Sequence, residues 1–330
     1  MRYAALALCA VLVCAHGVSA KTWRLKADKG WQSVSDDPEE QFLHAMAEIK
    51  NLVYAGESKE ARKALEQLKE EFPERVGPDT ELFIDGEIYY WQDRYAKAMA
   101  KYEKLLKDFP GSEFVAPVLE REFVIGQAYL NGRKKKVLGL IKISGHAEGV
   151  EIMERISDRA GLDDPNSIGL DAALAVAENF EQRELYLEAY LKWSEIASYW
   201  ETGPVGKKAL YRMAENNLAA YNAPQVGRRH YFDASKLTTA KTYYERFATL
   251  YPEDAKTSGV PDKVRQIDEQ MSYKELTIAQ YYQRIGEDRA ARLYFETVIQ
   301  NWPETEAAEQ AREALEQSIP GEQAGDNEVP

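Results

Sequence analysis

Three features of this 330-residue chain are of the kind that could do chemistry. Gly203-Pro204-Val205-Gly206-Lys207-Lys208 sets glycines before two lysines, as a loop that cradles phosphate does. It is shorter than such a loop and no strand leads into it, so it reads as a turn that opens a helix. The 4 histidines, His16, His44, His146 and His230, stand far apart, with no HExxH pair to place two of them on one helix face. Arg133, Lys134, Lys135 and Lys136, running on through Val137 to Ile143, form a basic and apolar cluster in an otherwise acidic chain. This cluster can touch an anionic membrane or an acidic partner. Alternatively, it is an inserted loop or strand whose apolar side packs on its own helices. No constellation for catalysis and no cofactor loop is found, so an enzyme is not expected and the chemistry to look for is that of binding.

The composition narrows the partner. With 55 acidic against 42 basic residues and a formal charge of -13, a broad basic face for nucleic acid is disfavoured. Residues 1–20 read as a secretory signal: Arg2, an apolar run from Ala4 to Ala15 too short to span a bilayer, and the small-residue site Val18-Ser19-Ala20, with cleavage near Ala20. Both cysteines, Cys9 and Cys14, lie inside it and follow Leu8 and Val13 rather than the small residue that a lipoprotein signal needs. The chain is therefore expected in the periplasm or cell envelope. In the following segment, 21–37, two short alternating runs around Ala27-Asp28-Lys29-Gly30 predict a short β-hairpin.

The elements that must position any binding face come from a repeat. Ala279-x-x-Tyr282, Gly286, Ala291-x-x-x-Phe295 and Pro303 put a small residue and an aromatic on one helix, a turn, then an alanine and an aromatic on a second helix that proline ends. Gly86-x-x-Tyr89, Ala98-x-x-x-Tyr102 and Pro110 repeat it. Ile49-x-x-Leu52, Gly56, Ala61-x-x-x-Leu65 and Pro73 repeat it with aliphatics, Ala177-x-x-Phe180 with Ala189-x-x-x-Trp193 lacks the proline, and Ala240-x-x-x-Tyr244 with Pro252 supplies a second helix. The pattern is that of the tetratricopeptide (TPR) repeat. It predicts an all-α, right-handed superhelical solenoid of about five to six helix pairs over 38–317, with a disordered tail at 318–330. Gly126-x-x-Tyr129 opens an irregular third unit, delayed by the basic cluster, and Tyr221 to Asp233 interrupts the fifth. Apolar spacing from Pro261 to Ile285 predicts one long helix. First helices of such repeats line a groove, and counting from Ile49 and Gly86 the groove-facing residues are Met46, Lys50, Tyr54, Phe83, Glu87, Tyr90 and Trp91; alternatively, the aromatics among them pack between repeats.

The run Glu275-Leu276-Thr277-Ile278-Ala279-Gln280-Tyr281-Tyr282-Gln283-Arg284-Ile285-Gly286, with Ala290-Ala291-Arg292 and Val298-Ile299-Gln300-Asn301-Trp302-Pro303-Glu304-Thr305, resembles the last repeat of the BamD family, periplasmic TPR lipoproteins of outer-membrane β-barrel assembly. The lipid-attachment cysteine of that family is missing here. The resemblance implies a scaffold that receives unfolded outer-membrane proteins through its first repeats, with Lys50 near a peptide carboxylate, and docks on the barrel-inserting subunit through its last ones. Tyr281, Arg284, Glu287 and Arg292 are the docking residues it implies, and Arg133, Lys134, Lys135 and Lys136 a separate peripheral contact with a membrane or partner. The other expectation is an adaptor that coordinates cell-envelope or cell-wall machinery.

Overall fold

The computed structural model describes residues 23–26, 30–33, 38–137, 141–223 and 233–317. The expected signal segment, most of the interruption at 221–234 and the expected tail lie outside them. The chain divides into two compact units, Met1–Val118 and Leu119–Pro330. The first holds an antiparallel ribbon of β1 (Trp23–Lys26) and β2 (Gly30–Ser33), the helices α1 (Pro38–Tyr54), α2 (Ser58–Glu71), α3 (Pro78–Trp91) and α4 (Tyr95–Asp108), and the start of α5 (Val115–Leu130). The second continues α5 into a ribbon of β3 (Lys134–Val137) and β4 (Ile141–Ser144), then α6 (His146–Ala160), α7 (Ile168–Gln182), α8 (Tyr186–Tyr199), α9 (Gly203–Asn222), α10 (Ser235–Leu250), α11 (Pro252–Thr257), α12 (Val260–Arg284), α13 (Asp288–Asn301) and α14 (Glu306–Gln317). The architecture is an all-α TPR solenoid with two short ribbons as the strands among the described residues. The repeat pattern did not anticipate α11 or α14.

Among the described residues, the turn that follows a first helix is built the same way in five places. Gly56, Asp93, Gly132, Glu184 and Gly286 all take positive φ. In each case the next residue donates its N–H to the carbonyl five residues back, as in Glu57 to Leu52 at 2.9 Å, Arg94 to Tyr89 at 2.9 Å and Glu287 to Tyr282 at 3.0 Å. These bonds satisfy carbonyls that the end of the first helix leaves open. A left-handed residue costs glycine nothing and a side-chain-bearing one about 1–2 kcal/mol. Glu184 at φ 58° is exposed, and replacing it by glycine relieves that strain while widening the unfolded ensemble. Glu184→Gly is expected to raise stability by about 0.5–1 kcal/mol net, read as a higher urea midpoint.

The second helices end where an aromatic residue precedes proline. Phe72, Phe109, Tyr251 and Trp302 all leave helical geometry, with φ between -138° and -131°, because the residue before proline is sterically disfavoured in the α region. Between turn and stop, Ala61, Ala98, Ala189, Ala240 and Ala291 are buried, which allows the close helix crossings that any longer side chain would hold open. In the second unit each apolar cluster ties one pair to the next. Ala177 on α7, Ala189 and Trp193 on α8, and Ala209 and Met213 on α9 share one cluster; Leu210 and Ala214 of the same α9 join α10 and α12 in another. A third joins α12, α13 and α14.

Candidate protein-interaction surfaces

In the first unit the expected groove residues separate into two sets. Met46, Phe83 and Glu87 are buried and are corrected from groove to core. Phe83 stacks on Phe114 with centroids 4.6 Å apart, and the Glu87 carboxylate accepts a hydrogen bond from the Tyr102 hydroxyl at 2.6 Å. The cause is rotation: Gly86 faces Tyr102 across the pair, and the next residue along α3 stays within reach of that same neighbour. Lys50, Tyr54 and Trp91 are exposed, Tyr54 by 50% and Trp91 by 48%. The Tyr54 and Trp91 rings lie 4.9 Å apart, Trp91 meets Tyr90 edge-on at 5.6 Å, and Tyr90 stacks on Tyr95 at 5.5 Å. The result is a strip of four rings at the ends of α1 and α3. Tyr95 was missed in the sequence; its signal is its place one turn loop beyond Tyr90. Such a strip offers large apolar area whose ordering is already complete, which is what aromatic anchors of a peptide need.

The last pair presents a different surface. Tyr281, Arg284, Glu287 and Arg292 are all exposed. Ile285 is 52% exposed, because it caps α12 beyond the last turn that packs. Leu293 on α13 is 61% exposed and was likewise missed. Tyr282 stacks on Tyr294 at 5.4 Å, and Tyr281 lies edge-on to Tyr282 at 5.6 Å. Arg292 lies on α13. It lines a cleft of about 380 Å³ with Gln283, Asp288, Ala291, Phe295, Leu315 and Gln317.

The basic cluster is a ribbon rather than a loop. Lys134 pairs in register with Ser144 and Lys135 with Ile143. Lys134 is exposed, Arg133 is partly buried, and Lys135 forms an ion pair with Glu148 on α6. The Lys136 side chain lies outside the described residues. Lys207 and Lys208 from the glycine-lysine stretch sit in the first turns of α9, where Lys207 pairs with Asp254 at 3.0 Å and Lys208 with Glu178 at 2.7 Å, so this stretch is a helix opening. No described helix is long and apolar enough to cross a membrane.

Charge in the second unit is organised by carboxylates reached from two helices. Glu215 on α9 accepts from the Tyr244 hydroxyl of α10 and from Lys263 of α12, and Lys263 also donates to the Tyr211 hydroxyl at 2.9 Å. Burial and the hydrogen bond to Glu215 push the Tyr244 hydroxyl far above its usual range. Burial pulls Lys263 down, but its hydrogen bonds to Glu215 and Tyr211 outweigh this and leave it raised. Tyr243 is pushed up to about 12 by burial and by its neighbour Tyr190. The sign follows for each. Unfolded tyrosine and lysine lose their protons near pH 10 to 10.5, whereas the folded groups hold theirs, so the folded state binds more protons and stability falls as pH rises above about 10. Urea melts between pH 8 and pH 11 should show this loss, and Tyr244→Phe should make it shallower.

Residues 194–320 match the family model of an outer membrane lipoprotein, YfiO, and residues 41–75 and 86–112 match a tetratricopeptide-repeat model. No curated protein matches the chain. Among solved structures, the C-terminal part of a TPR repeat-containing protein from Cytophaga hutchinsonii is 14% identical, with 83% of this chain and 87% of that one covered at a TM-score of 0.36. PilW, a widely conserved type IV pilus biogenesis factor, is 14% identical, with 82% and 98% covered at a TM-score of 0.27. At these scores neither superposition bears on function.

Proposed function

We propose that this chain, whose residues 194–320 match the YfiO outer membrane lipoprotein model, serves outer-membrane β-barrel assembly as an interaction scaffold of the cell envelope, binding unfolded barrel-protein segments and docking on the insertase. The observation that carries the proposal is the family match of the last repeats, which coincides with the exposed side chains Tyr281, Arg284 and Ile285 at the end of α12. A guanidinium can hold a partner carboxylate with two hydrogen bonds, so Arg284 and Arg292 are the anchors assigned to docking. The substrate half is supported by the ring strip in the first unit. Barrel-protein termini are typically aromatic, and Tyr54 and Trp91 offer them half-exposed rings, with Lys50 one turn before Tyr54 for a terminal carboxylate.

The docking half is tested by pull-down of the tagged protein from detergent-solubilised envelopes with mass spectrometry. The barrel-inserting subunit is the expected catch, lost in Arg284→Glu/Arg292→Glu. Recovery of cell-wall machinery without any barrel-assembly subunit would replace this reading by that of an envelope adaptor. The substrate half is tested by fluorescence titration with an aromatic-ended barrel peptide. Tyr54→Ala/Trp91→Ala is expected to weaken binding by about 2 kcal/mol, or about thirtyfold. Unchanged affinity in the folded double variant removes the strip as the receptor.

A further inference from the structure

A second surface of the first unit concentrates positive charge, although the whole chain carries -13. Around the ring of Tyr89 on α3, Arg62 of α2 lies 5.9 Å from the centroid, Arg94 5.2 Å and Lys97 of α4 5.5 Å. The negative face of the ring favours such an assembly. Asp85 is the carboxylate that meets this group: Arg62 holds one of its oxygens through Nε at 3.1 Å and Nη2 at 2.9 Å, and Lys101 holds the other at 2.7 Å. Arg94 donates to the Gln92 side chain at 3.4 Å. Among the described residues neither Arg94 nor Lys97 has an ion pair, and the first turn of α4 carries no acid. Arg62 and Lys101 thus share one carboxylate, while Arg94 and Lys97 stand beside them at the Tyr89 ring.

We propose that this face receives an extended acidic peptide segment of a partner protein, its carboxylates seated on Arg94, Lys97 and the lysines that follow along α4. Arg94, Lys97, Lys101 and Lys104 recur at steps of three and four, so at about 1.5 Å rise per residue they form a ladder about 15 Å long. Alternate side chains of an extended strand repeat at about 6.5–7 Å, which lets two or three carboxylates meet successive rungs. A single phosphate engages one or two of them. An anionic bilayer is the poorer occupant, because it is a broad surface that meets the net negative charge of the chain as well. A peptide a few residues wide feels chiefly the charges within a Debye length of about 8 Å. Asp85 illustrates the carboxylate mode: burial raises its pKa, yet the hydrogen bonds from Lys101 and Arg62 prevail and keep it below the usual range, anionic at neutral pH. The proposal rests on the cations rather than on the rings of the Tyr54–Trp91 strip and does not depend on the barrel-assembly reading.

The test is a titration of the whole protein with a fluorescein-labelled oligoglutamate peptide, read by anisotropy at low and physiological salt. Saturable, salt-sensitive binding is expected. Arg94→Glu/Lys97→Glu should weaken it about tenfold or more, while Lys256→Glu/Arg265→Glu in the second unit, an equal change in net charge, should shift it less than about twofold. Circular dichroism checks that each variant is folded. The proposal is overturned by the absence of peptide binding, by equal weakening in the two variants, or by inorganic phosphate competing as well as the unlabelled peptide. It is also overturned if the wild-type protein binds phosphatidylglycerol vesicles through Arg94 and Lys97 but not the peptide.

Discussion

Replacing Trp193 by alanine is expected to destabilise the second unit by about 3–5 kcal/mol, seen as a lower urea midpoint by circular dichroism. Trp193 is fully buried on α8, among Ala173 and Ala177 of α7, Ala189 and Ile196 of its own helix, and Ala209 and Met213 of α9. Those alanines are short because the indole occupies the space between them, so they cannot expand into the cavity it leaves. A second loss is polar. The indole Nε1 donates to Glu181 at 2.8 Å, and the same carboxylate oxygen accepts from Asn216 at 2.6 Å. Trp193→Phe separates the two effects: most of the apolar volume stays, one donor to a mostly buried carboxylate goes, and a cost of about 1–3 kcal/mol is expected. If Trp193→Ala and Trp193→Phe cost the same, packing is not what the indole contributes.

The same contact occurs in other pairs, and it marks where the sequence stopped being legible. Tyr102 donates to Glu87, Trp193 to Glu181 and Tyr244 to Glu215, each time from the aromatic of the second helix to a glutamate of the first. The alanines and aromatics were readable because volume at a helix crossing restricts residue type, and the restriction recurs at fixed spacing. The glutamates were not. Glu87 stands one residue past Gly86 and Glu181 four past Ala177, so no single offset finds them, and a glutamate on a helix ordinarily belongs to a solvated face. The groove register failed for the same reason at Glu87 and Phe83. The turns show a related limit: glycine at Gly56 and Gly286 announces a left-handed residue, but Asp93 and Glu184 take that conformation without announcing it, held by the hydrogen bonds of the helix end. The cation group at Tyr89 was hidden because Arg62 comes from a different helix, 27 residues before Tyr89 by number, and reaches α3 only through its side chain, which holds Asp85.

Gly86→Ala is the second large effect, and its direction runs against helix propensity. In an exposed helix interior the change is favourable by about 1 kcal/mol. At Gly86, however, a Cβ would stand 2.7 Å from Cδ1 of Tyr102 and closer still to Cε1, inside any real carbon–carbon contact. Tyr102 is fully buried and its hydroxyl is held by Glu87 at 2.6 Å, so the ring can move aside only by giving up that bond and repacking the pair. Overpacking of this kind costs about 1–3 kcal/mol, and loss of a hydrogen bond to a buried carboxylate about 1–3 kcal/mol more. Both exceed the propensity gain, and a net destabilisation of about 2–4 kcal/mol is expected in thermal or urea melts. Gly126 supplies the contrast within the same chain. There the added carbon would meet Ile152 Cγ2 at 3.0 Å and the Cε of Met153 at 3.2 Å, and a flexible methionine can yield by a few tenths of an ångström, so Gly126→Ala should be far milder. In a Tyr102→Ala background the clash at Gly86 has no partner, and Gly86→Ala should then turn stabilising by its propensity alone. A Gly86→Ala variant that melts no lower than the parent, with Tyr102 intact, would show that the ring is not fixed where the hydrogen bond to Glu87 holds it.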